Sequence, residues 1–256
     1  MTQKKYELLK DDTITAPNGK TLYRIKALID FGVVVAGSLG GYIEKEDNLA
    51  HTGNAWVYGN ARVSGNAEVY GDARVSGNAR VYGDARVYGN ARVYGNARVY
   101  GDARVSGNAR VSGNAEVSGD AEVYGDAEVY GDARVSGDVR VSGDVRVYGN
   151  ARVYGNAWVY GNARVSGNAE VSGDAEVYGN SDLVWFSKVG TEQGTLTVYK
   201  SKNGSLLATR GCFSGTVDEF LAKSAKVHNE RIKREYQLLI EVAKSCLLGE
   251  SYVPTF

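Results

Sequence analysis

Apolar and polar positions recur along the middle of this chain with a period of six and almost no drift. From Trp56 to Tyr178 one phrase returns, Val-Tyr/Ser-Gly-Asn/Asp-Ala-Arg/Glu; valine stands at Val57, Val63, Val69 and every sixth position to Val177, 21 times without a gap. Glycine follows each valine by two residues, from Gly59 to Gly179. Self-similarity this strict is the signature of a solenoid. The small residue and the valine lie two apart, as in Ala61 and Val63, which puts both on one side of a short strand. Arg62 and Ser64, or Arg80 and Tyr82, then face the other side. Gly-Asn or Gly-Asp interrupts each strand with residue types that tolerate the positive φ of a sharp corner. Each phrase therefore predicts a short strand plus a corner, with valine and alanine inside and arginine, glutamate, tyrosine and serine outside.

A strand this short cannot bury its valine alone; stacked coils can. The phrase resembles that of the hexapeptide-repeat family, whose triangular coil uses three hexapeptides, and the likeness covers roughly half the chain. It implies a left-handed parallel β-helix. The hand rests on the resemblance, since the general crossover rule favours right-handed connections. Twenty-one phrases make seven coils, a prism roughly 34 Å long at about 4.8 Å per stacked strand. Each buried valine contributes on the order of 1.5–3 kcal/mol, enough core for one elongated domain.

The flanks lose the period. Residues 1–50 read as a β-rich cap, with a turn at Pro17-Asn18-Gly19 and strands over Thr21–Leu28 and Val33–Ala36. Leu39, Ile43 and Leu49 fall on inward registers, whereas Lys45 and His51 break them. A cap is needed because an end coil exposes an unpaired strand edge. After the repeat (51–182), residues 183–256 predict strands at Leu183–Val189, Thr195–Lys200 and Ser205–Phe213, with a hairpin turn at Asn203-Gly204. Thr216 or Asp218 caps a helix reaching about Leu248, with a kink or a break near His228-Asn229. The expected fold is mainly β: a left-handed parallel β-helix with an N-terminal β cap and a small C-terminal α+β domain.

The ends extend the resemblance. Thr-Leu-Tyr-Arg-Ile-Lys-Ala-Leu (21–28), Gly-Ser-Leu-Gly-Gly-Tyr-Ile-Glu (37–44) and Arg-Gly-Cys-Phe-Ser-Gly-Thr-Val-Asp-Glu-Phe (210–220) are similar to the opening and closing segments of uncharacterised repeat proteins of bacteria and their phages or prophages. That group carries no settled activity to transfer.

Composition narrows the function classes. Thirty Lys and Arg balance thirty Asp and Glu, which argues against bulk attraction to nucleic acid. No apolar run reaches membrane length, and the N-terminus lacks a signal-peptide core, so the expected compartment is the host cytoplasm. Cys212 and Cys246 make neither a disulfide framework nor a metal set; buried inert thiols are expected. Hexapeptide-repeat acyltransferases generally use a histidine between coils and an inserted loop. This repeat has neither, and the chain's two histidines, His51 and His228, cannot supply a three-histidine zinc site within one chain. Each is expected to be structural. No catalytic residue, metal or cofactor is assigned.

The outward positions carry what remains. Folded at 18 residues, the Val69 face bears Tyr70, Tyr88, Tyr124, Trp158, Tyr160 and Tyr178. Aromatic residues favour interfaces, and the resemblance implies a trimer formed along prism faces, so this face is the candidate subunit interface. The competing reading is that tyrosine simply suits a strand. Charge is banded: arginines from Arg74 to Arg110, then Glu116, Glu122 and Glu128, then Arg134 to Arg152. The acidic belt Glu116–Asp132 reads as lacking an internal counter-ion, open to a cation or a basic partner, or simply solvated. Arg86, Arg92, Arg98 and Arg104 with Tyr88, Tyr94 and Tyr100 form a candidate ligand surface, because arginine grips phosphate and tyrosine stacks on bases; internal Arg–Tyr and Arg–Asp packing is the alternative.

Three functions follow as expectations. The first is a non-enzymatic trimeric scaffold, a phage or prophage accessory protein that binds and inhibits a host or defence factor. The second is a nucleotide or small-molecule sponge using inter-subunit grooves. The third is an acyltransferase with an unrecognised inter-subunit site, for which His228 is the candidate residue.

Overall fold

A computed structural model describes residues 3–249 of the chain; the last residues of the C-terminal segment, 250–256, lie outside it. The period-six phrase forms twenty-one strands of two or three residues, β4 (Trp56–Val57) to β24 (Glu176–Val177). They stack in parallel as three faces of seven, named here by their first valines: Val57, Val63 and Val69. Partners in neighbouring coils are 18 residues apart, as in Arg98 with Glu116 and Val99 with Val117. Every valine from Val57 to Val177 is buried, with the alanines between them. The core is a single column of interdigitated Val and Ala, and no strand could bury its share without its neighbours.

The corners depend on glycine. At Gly101, φ is +72° and a Cβ would lie 3.0 Å from the Gly119 nitrogen one coil on; only glycine fits both the left-handed backbone and the stacking.

The N-terminal cap consists of β1 (Tyr6–Thr15), β2 (Thr21–Ala27) and β3 (Leu39–Ile43). These strands run antiparallel, and β3 then pairs in parallel with the first strand of the Val63 face. Sequence reading missed β1, whose apolar positions do not alternate cleanly. Val33–Ala36 is not a strand: Val34 makes only an isolated bridge to Phe31. Ile43 pairs with Val63 and Leu49 with Val69, a separation of 20 residues rather than 18. Two extra residues before Val57 therefore shift the register, so Ile43 and Leu49 occupy valine positions in a partial coil. Leu39 is 54% exposed, a correction to its expected inward placement. Asn48 is buried in that partial coil with its amide saturated: Oδ1 accepts from the Glu44 and Lys45 N–H groups, and Nδ2 donates to the Gly65 and Ala67 carbonyls.

The C-terminal sheet comprises β25 (Leu183–Val189), β26 (Gly194–Lys200), β27 (Leu206–Arg210) and β28 (Phe213–Thr216), in order and antiparallel. The Gly211–Cys212 turn splits the strand expected over Ser205–Phe213. Two helices follow, α1 (Val217–Val227) and α2 (Glu230–Leu248). Thr216 caps α1 in a reciprocal box with Glu219, and Asn229 caps α2, so the slip in helical spacing at His228 is a break between helices. The sheet is sandwiched: Leu196, Val198, Leu206 and Ala208 pack with the helices, while Tyr199 and Leu207 on the other face join the solenoid core. Both cysteines are exposed, not buried as expected: Cys212 lies in a turn and Cys246 on the outer side of α2.

Candidate functional site

Three surfaces carry the functional questions: the two solenoid ends, the charged ladders and the aromatic positions. The ends are closed by side chains. At the C-terminal end, Glu170 N–H donates to Thr197 Oγ1 and its carbonyl accepts from Thr209 Oγ1. Ser172 N–H donates to the Tyr199 hydroxyl, which donates to the Ser172 carbonyl. Asn180 takes the Arg164 N–H and Asp182 the Tyr178 N–H. At the N-terminal end, Lys5 Nζ donates to the Ala55 carbonyl at 2.9 Å and Tyr6 Oη to the Leu49 carbonyl at 2.7 Å. Trp56 takes the outward position of its phrase, the one before valine, yet is 1% exposed, packed edge-on against Tyr6 and Phe31. His51 is structural: its Nδ1 accepts the Lys5 N–H and its ring stacks on Tyr6 at 4.4 Å. Burial pushes the Lys5 ammonium down to about 8, partly opposed by Asp72.

The acidic belt does have counter-ions, which corrects the sequence reading. Glu116 lies 3.0 Å from Arg98 and 4.0 Å from Arg134. Glu122 is flanked by Arg104 and Arg140, and Glu128 by Arg110 and Arg146. Each face thus carries an Arg–Glu–Arg ladder. The partners lie one coil away, so a scan of sequence neighbours misses them; folding the charges at 18 residues, as for the tyrosines, would have found them. The aspartates Asp102, Asp120 and Asp138 line a groove of about 540 Å³ together with Arg104, Arg140 and Trp158. Among the described residues no group of three or more His, Cys, Asp or Glu is arranged to hold a metal ion.

The structure does not bring the seven ligand-surface residues together. Arg86, Tyr88 and Arg104 lie on the Val69 face or at its corner, Arg92 and Tyr94 on the Val57 face, and Arg98 and Tyr100 on the Val63 face. The belt is a ring around the prism; of the seven, only Arg92 and Tyr94 share a groove, of about 660 Å³, with Tyr58, Arg74 and Arg110. Several tyrosines satisfy each other: Tyr70 stacks on Tyr88 at 4.9 Å and Tyr82 on Tyr100 at 5.0 Å, rings parallel.

The aromatic residues of the Val69 face divide into two groups. Tyr70 and Tyr88 are half-buried in their own stack. Farther along, Tyr124, Trp158 and Tyr160 line a shallow depression of about 290 Å³ with Arg140, and Tyr178 beyond them is 62% exposed. Arg140 and Lys202 both lie over the Trp158 ring, at 5.2 and 4.3 Å. The Tyr160 hydroxyl donates to Glu176, a bond that, with burial, pushes the phenol up to about 12.

Comparison with known proteins matches the repeat and the first three residues of β25. A model described as Bactofilin, polymer-forming cytoskeletal, matches residues 79–185. A second, described as a YdcK beta solenoid repeat, matches residues 55–71 and 67–83. The chain is a β-solenoid repeat protein. No curated protein matches it. Both likenesses stop short of the N-terminal hairpin and of the β26–α2 cap. Among the described residues, no helix of the solenoid protein is long and apolar enough to cross a membrane.

Proposed function

We propose that this β-solenoid protein is a non-catalytic, rigid scaffold that assembles laterally as a homotrimer through its Val69 face and presents charge-banded faces to a protein partner. The observation that carries this reading is the gathering of exposed aromatic rings, Tyr124, Trp158 and Tyr178, on one prism face, beside charged ladders that are already paired. Aromatic residues at the centre of a flat face contribute most to interface energy. The description polymer-forming, which belongs to the matched family, supports self-association. The closed ends favour a lateral, closed assembly over end-to-end growth. The six-residue phrase and 18-residue register support the finer reading as left-handed hexapeptide repeats. The likeness of the ends to phage and prophage proteins supports an accessory role in the host cytoplasm, binding and inhibiting a host or defence factor.

Native mass spectrometry with light scattering tests the assembly. The full chain is expected to be a trimer, and Trp158→Glu combined with Tyr178→Ser is expected to yield a folded monomer. A monomeric wild-type protein, or a trimer indifferent to both changes, overturns the interface. A trimer that copurifies with a discrete small molecule turns the reading toward a ligand sponge.

A further inference from the structure

The C-terminal domain contains a second candidate site, remote from the prism faces. The β25–β26 hairpin, the Gly211–Cys212 turn and the break between α1 and α2 enclose a cavity of about 170 Å³. Three residues on its walls, Arg210, Ser224 and His228, each hold a buried polar atom without a hydrogen-bond partner: Nε, Oγ and Nδ1. Only one other such side-chain atom, on His51, occurs among the described residues. Buried polar groups are nearly always partnered, so three orphans around one cavity call for an explanation.

Charge supplies it. The Arg210 side chain is only 10% exposed, and its nearest carboxylate, Glu192, lies 3.9 Å away and is 82% exposed. Arg210 Nη2 donates to the Val189 carbonyl, which orients the guanidinium without neutralising it. Gly190 and Gly194 keep the space clear, because a Cβ on either would collide with Tyr236 or Arg210. Lys223 stands at the same cavity, 5.3 Å over the Phe213 ring. A buried cation is stable only when paired and hydrogen-bonded. Phe220 and Tyr236, in edge contact at 4.9 Å, complete an apolar wall.

We propose that this cavity binds a small oxyanion, a carboxylate or phosphate ester, held by Arg210, Ser224 and His228 with its apolar substituent against Phe220 and Tyr236. Arginine offers a donor fork matched to two oxygens, serine a hydroxyl donor, and histidine a ring nitrogen that donates in the appropriate tautomer or when protonated. The volume is below that of pockets for drug-sized ligands, which restricts the occupant to a single small ring or less. Glu192 acts as a weak internal competitor at the rim.

Thermal unfolding and calorimetry of the full chain at constant ionic strength, with phenyl phosphate, benzoate and neutral benzyl alcohol as probes, test the assignment. At least one anion is expected to bind saturably and raise the melting temperature, whereas benzyl alcohol does not; which anion wins distinguishes phosphate from carboxylate. Ser224→Ala should leave the fold intact and weaken the anion about tenfold or more, the loss of one charge-assisted hydrogen bond. Glu192→Gln, at an exposed position, should tighten it, an effect no structural role for Glu192 predicts. Arg210→Gln should abolish binding; if that variant misfolds, the other two still decide. Equal binding of benzyl alcohol, no binding of either anion, or indifference to both Ser224→Ala and Glu192→Gln overturns the site and leaves the cavity to water.

Discussion

Arg98 and Glu116 stand directly opposite each other in successive coils, Nη1 to Oε1 3.0 Å. The bond links two turns of the solenoid that share no local sequence contact. Glu116 also interrupts what would otherwise be an unbroken row of arginines on its face, Arg62, Arg80, Arg98, Arg134 and Arg152. Exposed pairs of this kind contribute about 0.2–1 kcal/mol each. Glu116→Arg removes two pairs and sets like charges in register, so a loss of about 1–2 kcal/mol is expected. Urea unfolding should show it at low salt and should show most of it recovered at 1 M salt, where the Debye length is about 3 Å.

A corner glycine should be far less forgiving. Gly101→Ala forces a Cβ into the left-handed region and against the Gly119 backbone. The backbone conformation alone costs on the order of 1–2 kcal/mol, and the contact adds to it. Chemical denaturation should reveal a destabilisation clearly larger than that of Ser106→Ala, an outward change one coil corner away.

The closed ends make a prediction about assembly. Truncation after Ser181 removes Thr197, Tyr199 and Thr209, the side chains that occupy the backbone of Glu170 and Ser172. The last coil then presents a bare parallel edge, and such edges template further pairing. Light scattering and electron microscopy should show concentration-dependent fibres for the truncated chain and a discrete species for the intact one.

Stability should rise with pH between about 8 and 10 through Lys5. Its folded-state value is about 8 against an ordinary 10.5, so over that interval the unfolded chain holds a proton that the folded chain has released, and raising the pH favours folding. Reduced for solvent screening of a lysine at the edge of the cap, the shift corresponds to on the order of 1–3 kcal/mol. Above pH 10 the sign reverses at Tyr6, which burial keeps protonated in the folded cap. Lys5→Met should flatten the 8–10 slope in melting experiments; an unchanged slope would assign it to other groups.

The solenoid was legible because its information is local and repeated: any one phrase specifies strand, corner and burial. The ends were legible only in outline. Trp56 carries the outward position of its phrase yet is buried, because Tyr6 and Phe31 arrive from a hairpin that the period does not encode. Leu39 fits the extrapolated period and is exposed, because two residues inserted before Val57 reset the register. The Glu116 counter-ions lay within reach of the 18-residue fold. The Arg210 cavity did not, since its walls come from a hairpin, a turn and a helix break that no spacing rule joins.

The 18-residue register has a genetic corollary. Tandem codon repeats gain and lose units by unequal recombination, and the three-faced coil sorts those events. Addition of three phrases lengthens the prism by one storey and returns the C-terminal domain to the same side. Addition of one or two phrases turns that domain by a third or two thirds of a revolution relative to the N-terminal hairpin, and carries the Arg210 cavity round to a different face. Length variation in such a gene is therefore filtered in steps of whole coils wherever the two ends must act together, and is free in single phrases wherever they need not.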